Sequence, residues 1–106
     1  MRIDEFDMIE FFESDPKNFI QEDIVLNSTY SINNDMFSMS ILIDILEQQI
    51  YIDIRYRDSI VFSAKFDNVL SIRKSDDFLI VDLESERRLI IKKYPCFGVI
   101  VEEIGK

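Results

Sequence analysis

The stretch Ile24-Val25-Leu26-Asn27-Ser28-Thr29-Tyr30-Ser31-Ile32-Asn33-Asn34-Asp35-Met36-Phe37-Ser38-Met39-Ser40-Ile41-Leu42-Ile43-Asp44-Ile45 decides the fold. Ile24, Leu26, Ser28, Tyr30 and Ile32 fall on one side of a chain read with a period of two. Phe37, Met39, Ile41, Ile43 and Ile45 do the same after the Asn33-Asn34-Asp35 break. Alternation of this kind belongs to a pleated strand, and an Asn/Asp cluster between two such runs marks a turn. The stretch therefore predicts two consecutive strands.

The pattern continues outward. Beyond Glu47-Gln48-Gln49 come Ile50, Ile52, Ile54 and Tyr56, and beyond Arg57-Asp58 come Ile60, Phe62, Ala64 and Phe66. Three further segments, near Val69 to Lys74, Phe78 to Leu83 and Arg87 to Lys93, are separated by Ser75-Asp76-Asp77 and Glu84-Ser85-Glu86, which makes seven strands. After Pro95 the chain fits a helix through Phe97, Ile100, Val101 and Ile104, or a strand through Phe97, Val99 and Val101. The β-branched content favours the strand.

Upstream, Ile3, Phe6, Ile9 and Phe12 recur every three residues with Met8 alongside. Asp4 is placed to cap a helix whose first turn holds Glu5 and Asp7, and Asp15-Pro16 is placed to stop it, so a helix is expected from Asp4 to Ser14. Phe19-Ile20 is a short apolar pair between the helix and the first strand. The fold class that follows is α+β. An N-terminal helix precedes a mainly antiparallel meander of seven or eight strands, in a strongly curved sheet or partial barrel, forming a single domain over 1–106.

The chain has 106 residues, of which 47% are hydrophobic, with nine Phe and four Tyr, so it lies outside the disordered class despite a net charge of −9. Two Gly and two Pro are few, which leaves the turns to Asn, Asp and Ser, residues that tolerate left-handed backbone. Cys96 is the single cysteine, flanked by Pro95 and Phe97. It excludes an internal disulfide, fits a reducing compartment, and reads as an inert thiol packed in a core or interface. Neither a basic leader nor a run of about 20 apolar residues is present, so a cytoplasmic protein with no membrane contact is expected.

Charge divides the chain after Ile54. Twelve Asp and Glu oppose Arg2 and Lys17 before it (2 − 12 = −10), and nine oppose ten Lys and Arg after it (10 − 9 = +1). Asp4, Glu5, Asp7, Glu10, Glu13, Asp15, Glu22, Asp23 and Asp35 crowd into 35 residues. A field of one sign steers a cationic partner. Phe11, beside a core stripe that already uses Phe6, Ile9 and Phe12, is expected to be an exposed anchor.

Several chemistries are closed. The chain has no histidine, which removes the usual activating base and the Cys/His zinc sites. No Gly-rich phosphate loop or calcium-binding loop occurs, so no cofactor or metal is expected, and direct nucleic-acid binding is disfavoured by the charge. Arg55, Arg57, Arg73, Lys74, Arg87, Arg88, Lys92 and Lys93 each have acidic neighbours and read as strand-edge or turn charges. The one suggestive pair is Asp44 and Asp53. If Leu46 pairs with Tyr51, these two carboxylates stand opposite each other, poised to receive a cation or to share a proton, whereas a register shift separates them.

The 1–35 acidic cluster and the tail from Tyr94-Pro95-Cys96-Phe97-Gly98 to Glu102-Glu103 resemble, in type, the small acidic immunity proteins of bacterial polymorphic-toxin and contact-dependent growth inhibition systems. No family residue is carried over. The resemblance implies a non-enzymatic protein that neutralises a cognate basic, nuclease-type toxin domain by covering its active site or substrate groove. The residues expected to meet the partner are Glu10, Phe11, Glu13, Asp15, Glu22, Asp23, Asp35, Asp44, Tyr51 and Asp53. The alternatives are a structural or scaffold subunit, such as a phage, secretion-system or PH-like protein-binding module, and an acidic phage inhibitor that mimics nucleic-acid charge. Self-association is possible but less favoured than a single basic partner.

Overall fold

The computed structural model describes residues 1–104. Its order is β1 (Arg2–Ile3), α1 (Glu5–Phe12), β2 (Lys17–Gln21), β3 (Ile24–Asn34), β4 (Phe37–Asp44), β5 (Gln49–Tyr56), β6 (Ser59–Phe66), β7 (Val69–Ser75), β8 (Phe78–Leu83), β9 (Arg87–Lys92) and β10 (Gly98–Glu103). The strands form two sheets of five. The front sheet has the order β2-β3-β4-β5-β6 and the back sheet β1-β7-β8-β9-β10. Every pairing is antiparallel except β1 with β7.

The seven strands expected from alternation are β3 to β9, and the terminal segment is a strand, β10. Two expectations are corrected. Ten strands occur among the described residues, and no sheet closes or curls strongly, because β6 does not pair with β7. The chain crosses from one sheet to the other at Asp67-Asn68, with Asn68 in left-handed backbone at φ 57°. The two additional strands are β1, too short to show a pattern, and β2, exposed along its whole length and so without a buried side to alternate. The expected Asn/Asp turn chemistry is present at Asp35, Asn68 and Asp76, all with positive φ. Glu22-Asp23 supplies positive φ at both positions, as a type I′ hairpin requires.

The inner faces of both sheets share one core. The front sheet gives it Tyr30, Met39, Ile41, Ile43, Ile50, Ile52 and Ile54, and the back sheet Val69, Ile72, Leu79, Val81, Leu83, Leu89 and Ile91. Each fully buried Ile or Leu contributes roughly 1.5–3 kcal/mol.

The helix completes this core with Met8, Phe11 and Phe12. Asp4 caps it by accepting from the Asp7 N–H (3.2 Å), and Glu13 ends it with φ 57° and an N–H bond to the Ile9 carbonyl. The expected stripe is therefore corrected. On a helix turning about 100° per residue, a three-residue repeat slips about 60° at each step, so Ile3, Phe6, Ile9 and Phe12 cannot share a face. The buried set has i, i+3, i+4 spacing. Phe11 is wholly buried and packs edge-on against Phe12 (5.0 Å), while Phe6 is 84% exposed. Cys96 is also exposed, in the connection between β9 and β10, and does not pack in the core.

The helix is tied to the back sheet at three points. The Ile72 carbonyl accepts from the Asp4 N–H (3.5 Å), the Asp7 carboxylate accepts from the Lys74 N–H (2.8 Å), and the buried Lys93 ammonium donates to the Phe11 carbonyl (2.8 Å). Lys93 thus satisfies one of the carbonyls that a helix C-terminus leaves open, where a cation also complements the helix dipole.

Candidate functional site

Strands of alternating direction sort the turns by parity. The β2–β3, β4–β5, β6–β7 and β8–β9 connections all reach one end of the sandwich. Backbone hydrogen bonds stitch them together: Ile45 N–H to Leu26 O (3.4 Å), Val69 N–H to Gln48 O (3.0 Å), Glu84 N–H to Asn68 O (3.1 Å) and Ile104 N–H to Glu86 O (2.6 Å).

This end carries Glu22, Asp23, Asp44, Glu47, Asp67, Glu84 and Glu86. Asp67 pairs with Lys65 (3.5 Å), and the Asp44 carboxylate accepts from the Glu47 N–H (3.1 Å). Glu22, Asp23, Glu47, Glu84 and Glu86 make no ion pair among the described residues. Other cations of the second half pair elsewhere. On the outer face of the back sheet Asp82 receives both Arg88 (3.0 Å) and Arg73 (3.8 Å), and Arg88 also faces Glu102 (3.9 Å).

The acidic residues of the first 35 positions do not converge. Glu22 and Asp23 lie at one end of β3 and Asp35 at the other. Eleven residues at about 3.3 Å each put roughly 36 Å between the two ends of that strand. Glu10 and Glu13 lie on the helix side, where Glu10 pairs with Lys74 (2.9 Å) and Glu13 approaches Lys93 (3.9 Å). The Glu10 hydrogen bond is the main cause that holds the Lys74 ammonium above its ordinary range. Asp15 is exposed beyond the helix end and, with Glu5, adds to the burial that raises the Tyr30 phenol.

The opposed Asp44 and Asp53 pair is corrected as well. Asp44 faces Gln49, Asp53 faces Ser40, and Leu42 rather than Leu46 pairs with Tyr51. The two carboxylates share the outer face of the front sheet but stand about 13 Å apart along it, too far to share a proton. Asp53 accepts instead from the Ser63 hydroxyl (2.7 Å). Tyr51 is on the same face, 39% exposed, its hydroxyl donating to Gln49 (3.2 Å). Asp44, Tyr51 and Asp53 therefore run along one sheet face toward the acidic end.

Sequence reading missed Glu47, Asp67, Glu84 and Glu86 as members of this surface. The available signal was parity, since every second turn of a meander returns to the same end. Among the described residues no group of three or more Cys, Asp or Glu side chains is arranged to hold a metal ion, and no helix is long and apolar enough to cross a membrane.

No family model matches the sequence, and no curated protein matches it. A solved structure does. A chain of the "Contact-dependent growth inhibition toxin - immunity protein complex from Klebsiella pneumoniae 342" superposes with a TM-score of 0.77 at 20% identity, covering 97% of this chain and 96% of that one. At that identity the likeness establishes a shared fold along nearly the whole of both chains.

Proposed function

We propose that this chain is an immunity protein, acting in the cytoplasm without catalysis, that binds a contact-dependent growth inhibition toxin and covers its active site or substrate groove. The observation that carries the reading is the end-to-end fold likeness to a chain of a toxin and immunity protein complex. Of the two roles in such a complex, a chain with no histidine and a net charge of −9 suits the antagonist better than the toxin.

The acidic end, with Glu22, Asp23, Asp44 and Glu47, supplies steering toward a basic, nuclease-type domain. Tyr51 on the adjoining sheet face is the desolvated anchor, worth about 2 kcal/mol or more on truncation. The helix carboxylates Glu10 and Glu13 contribute less, because their lysine partners cancel much of their field.

The test is co-expression with candidate toxin domains encoded beside the gene. Rescue of growth together with a one-to-one complex supports the reading. Growth arrest unrelieved by this chain, with no complex formed at low salt, removes it.

A further inference from the structure

The β3–β4 and β5–β6 turns meet at the end of the sandwich away from the acidic turns, where the Arg57 N–H donates to the Met36 carbonyl (2.7 Å). Their side chains meet too. The Met36 thioether sulfur accepts from the Arg57 Nε–H (3.2 Å) and from the Tyr56 hydroxyl (3.5 Å), and the same guanidinium lies 5.5 Å from the centre of the Tyr56 ring. A thioether is a weak acceptor, and a guanidinium pairs best with a carboxylate. Asp35 precedes Met36 and Asp58 follows Arg57, yet Arg57 makes no ion pair among the described residues. One sulfur therefore holds two strong donors that carboxylates close along the chain do not take.

That sulfur is also open to solvent. Met8 and Met39 are wholly buried and Met1 packs partly against the core, whereas Met36 is 50% exposed and lines an open hollow with Asp35, Phe37 and Tyr56.

We propose that Met36 is an oxidation site for hydrogen peroxide, converted to its sulfoxide ahead of the other methionines, with Arg57 and Tyr56 assisting the transfer and holding the product. In the step a sulfur lone pair forms the S–O bond while the O–O bond breaks. Sulfur is oxidised and the peroxide reduced, and the proton of the transferred oxygen passes to the departing oxygen, which leaves as water. Negative charge develops on that departing oxygen, and the guanidinium N–H and phenol O–H beside the sulfur are donors placed where it grows. The product is held by the same groups. A sulfoxide oxygen is polar and a stronger acceptor than a thioether, and the flexible methionine side chain has the freedom to turn it toward both donors. Oxidation of a buried methionine disrupts a core; at Met36 it ties two turns more firmly.

The site lies at the opposite end from the acidic turns and does not depend on toxin binding. The experiment is a hydrogen peroxide time course on the full chain carrying Cys96→Ser, which removes the competing thiol, read by peptide mass spectrometry at Met1, Met8, Met36 and Met39. Met36 is expected to gain one oxygen about tenfold or more faster than the buried Met8 and Met39, and ahead of Met1. Arg57→Gln with Tyr56→Phe, both on exposed side chains, is expected to keep the circular dichroism spectrum and to slow Met36 oxidation about threefold or more. The oxidised protein is expected to melt at least as high as the reduced one, and to melt lower than it in the double variant. A Met36 rate unchanged by loss of the two donors, oxidation of Met1 first, or a melting temperature that falls on oxidation with both donors present overturns the inference.

Discussion

At one end of the sandwich the turn carboxylates Glu22, Asp23, Asp44, Glu47, Asp67, Glu84 and Glu86, with Glu103 beside them, outnumber the nearby cations Arg2, Lys65 and Arg87; at the other, Asp35, Arg57, Asp58, Asp76, Asp77 and Lys93 mix both signs beside the exposed Phe37 and Tyr56. The same meander builds both ends. The difference lies in which turns return to which side, and it separates two kinds of surface that a single patch does not combine. Long-range attraction needs charge of one sign and tolerates water, whereas close docking needs apolar area and neutral surroundings.

The largest expected contrast is within the inward row of β5. Ile52→Ala removes a wholly buried side chain and should cost about 3 kcal/mol in urea unfolding, while Tyr56→Ala at the exposed end of the row should cost under half of that. Equal losses would show that Tyr56 is covered in solution. Next comes the anchor of the mixed end. Lys93→Met leaves the Phe11 carbonyl without its donor and should lower stability by about 1–3 kcal/mol, with the loss concentrated in helix signals.

Charge reversal sharpens the contrast kinetically. Glu22→Lys, Asp23→Lys and Glu47→Lys together should slow association with a basic toxin domain about tenfold or more at low salt, an effect that fades toward 0.15 M as screening shortens to about 8 Å. Asp35→Lys with Asp58→Lys should change the rate far less, and parity between the two sets would show that neither end steers.

The smallest effect appears only in alkali. Burial, aided by Glu5 and Asp15, raises the Tyr30 phenol above its ordinary 10.0, and the Glu10 hydrogen bond raises Lys74 above 10.5. For both groups the unfolded chain loses its proton first. The stability they contribute is therefore complete below those ordinary values and is lost as pH rises through the higher folded ones. Tyr30→Phe should flatten the fall in stability above pH 10 and leave the acid side unchanged.

Much of this was legible in the sequence. Alternation located β3 to β9, and Asp4 and Glu5 marked the helix start. What escaped was non-local. Asp67-Asn68 reads as one more hairpin turn, and nothing in those two residues says that the next strand joins the other sheet. Phe11 reads as surface because a period of three looks helical while drifting around the helix. The acidic end assembles residues from Glu22 to Glu86, whereas clustering along the chain points to the 1–35 crowd, which the fold scatters.

The pairing of β1 with β7 joins Arg2 to Ser71, and the helix behind it reaches forward to Lys74 and Lys93. Segment 2–12 thus leaves the ribosome long before the strands that receive it. During synthesis β2 to β6 can zip up as successive local hairpins, and Phe12 can meet Tyr30 there, but the ties at Ile72, Lys74 and Lys93 must wait until β7 to β9 have emerged. The carboxylates of that segment, which the finished fold mostly pairs or disperses, are all unpaired in this interval, and charge of one sign on an incompletely covered apolar helix favours solution over self-contact.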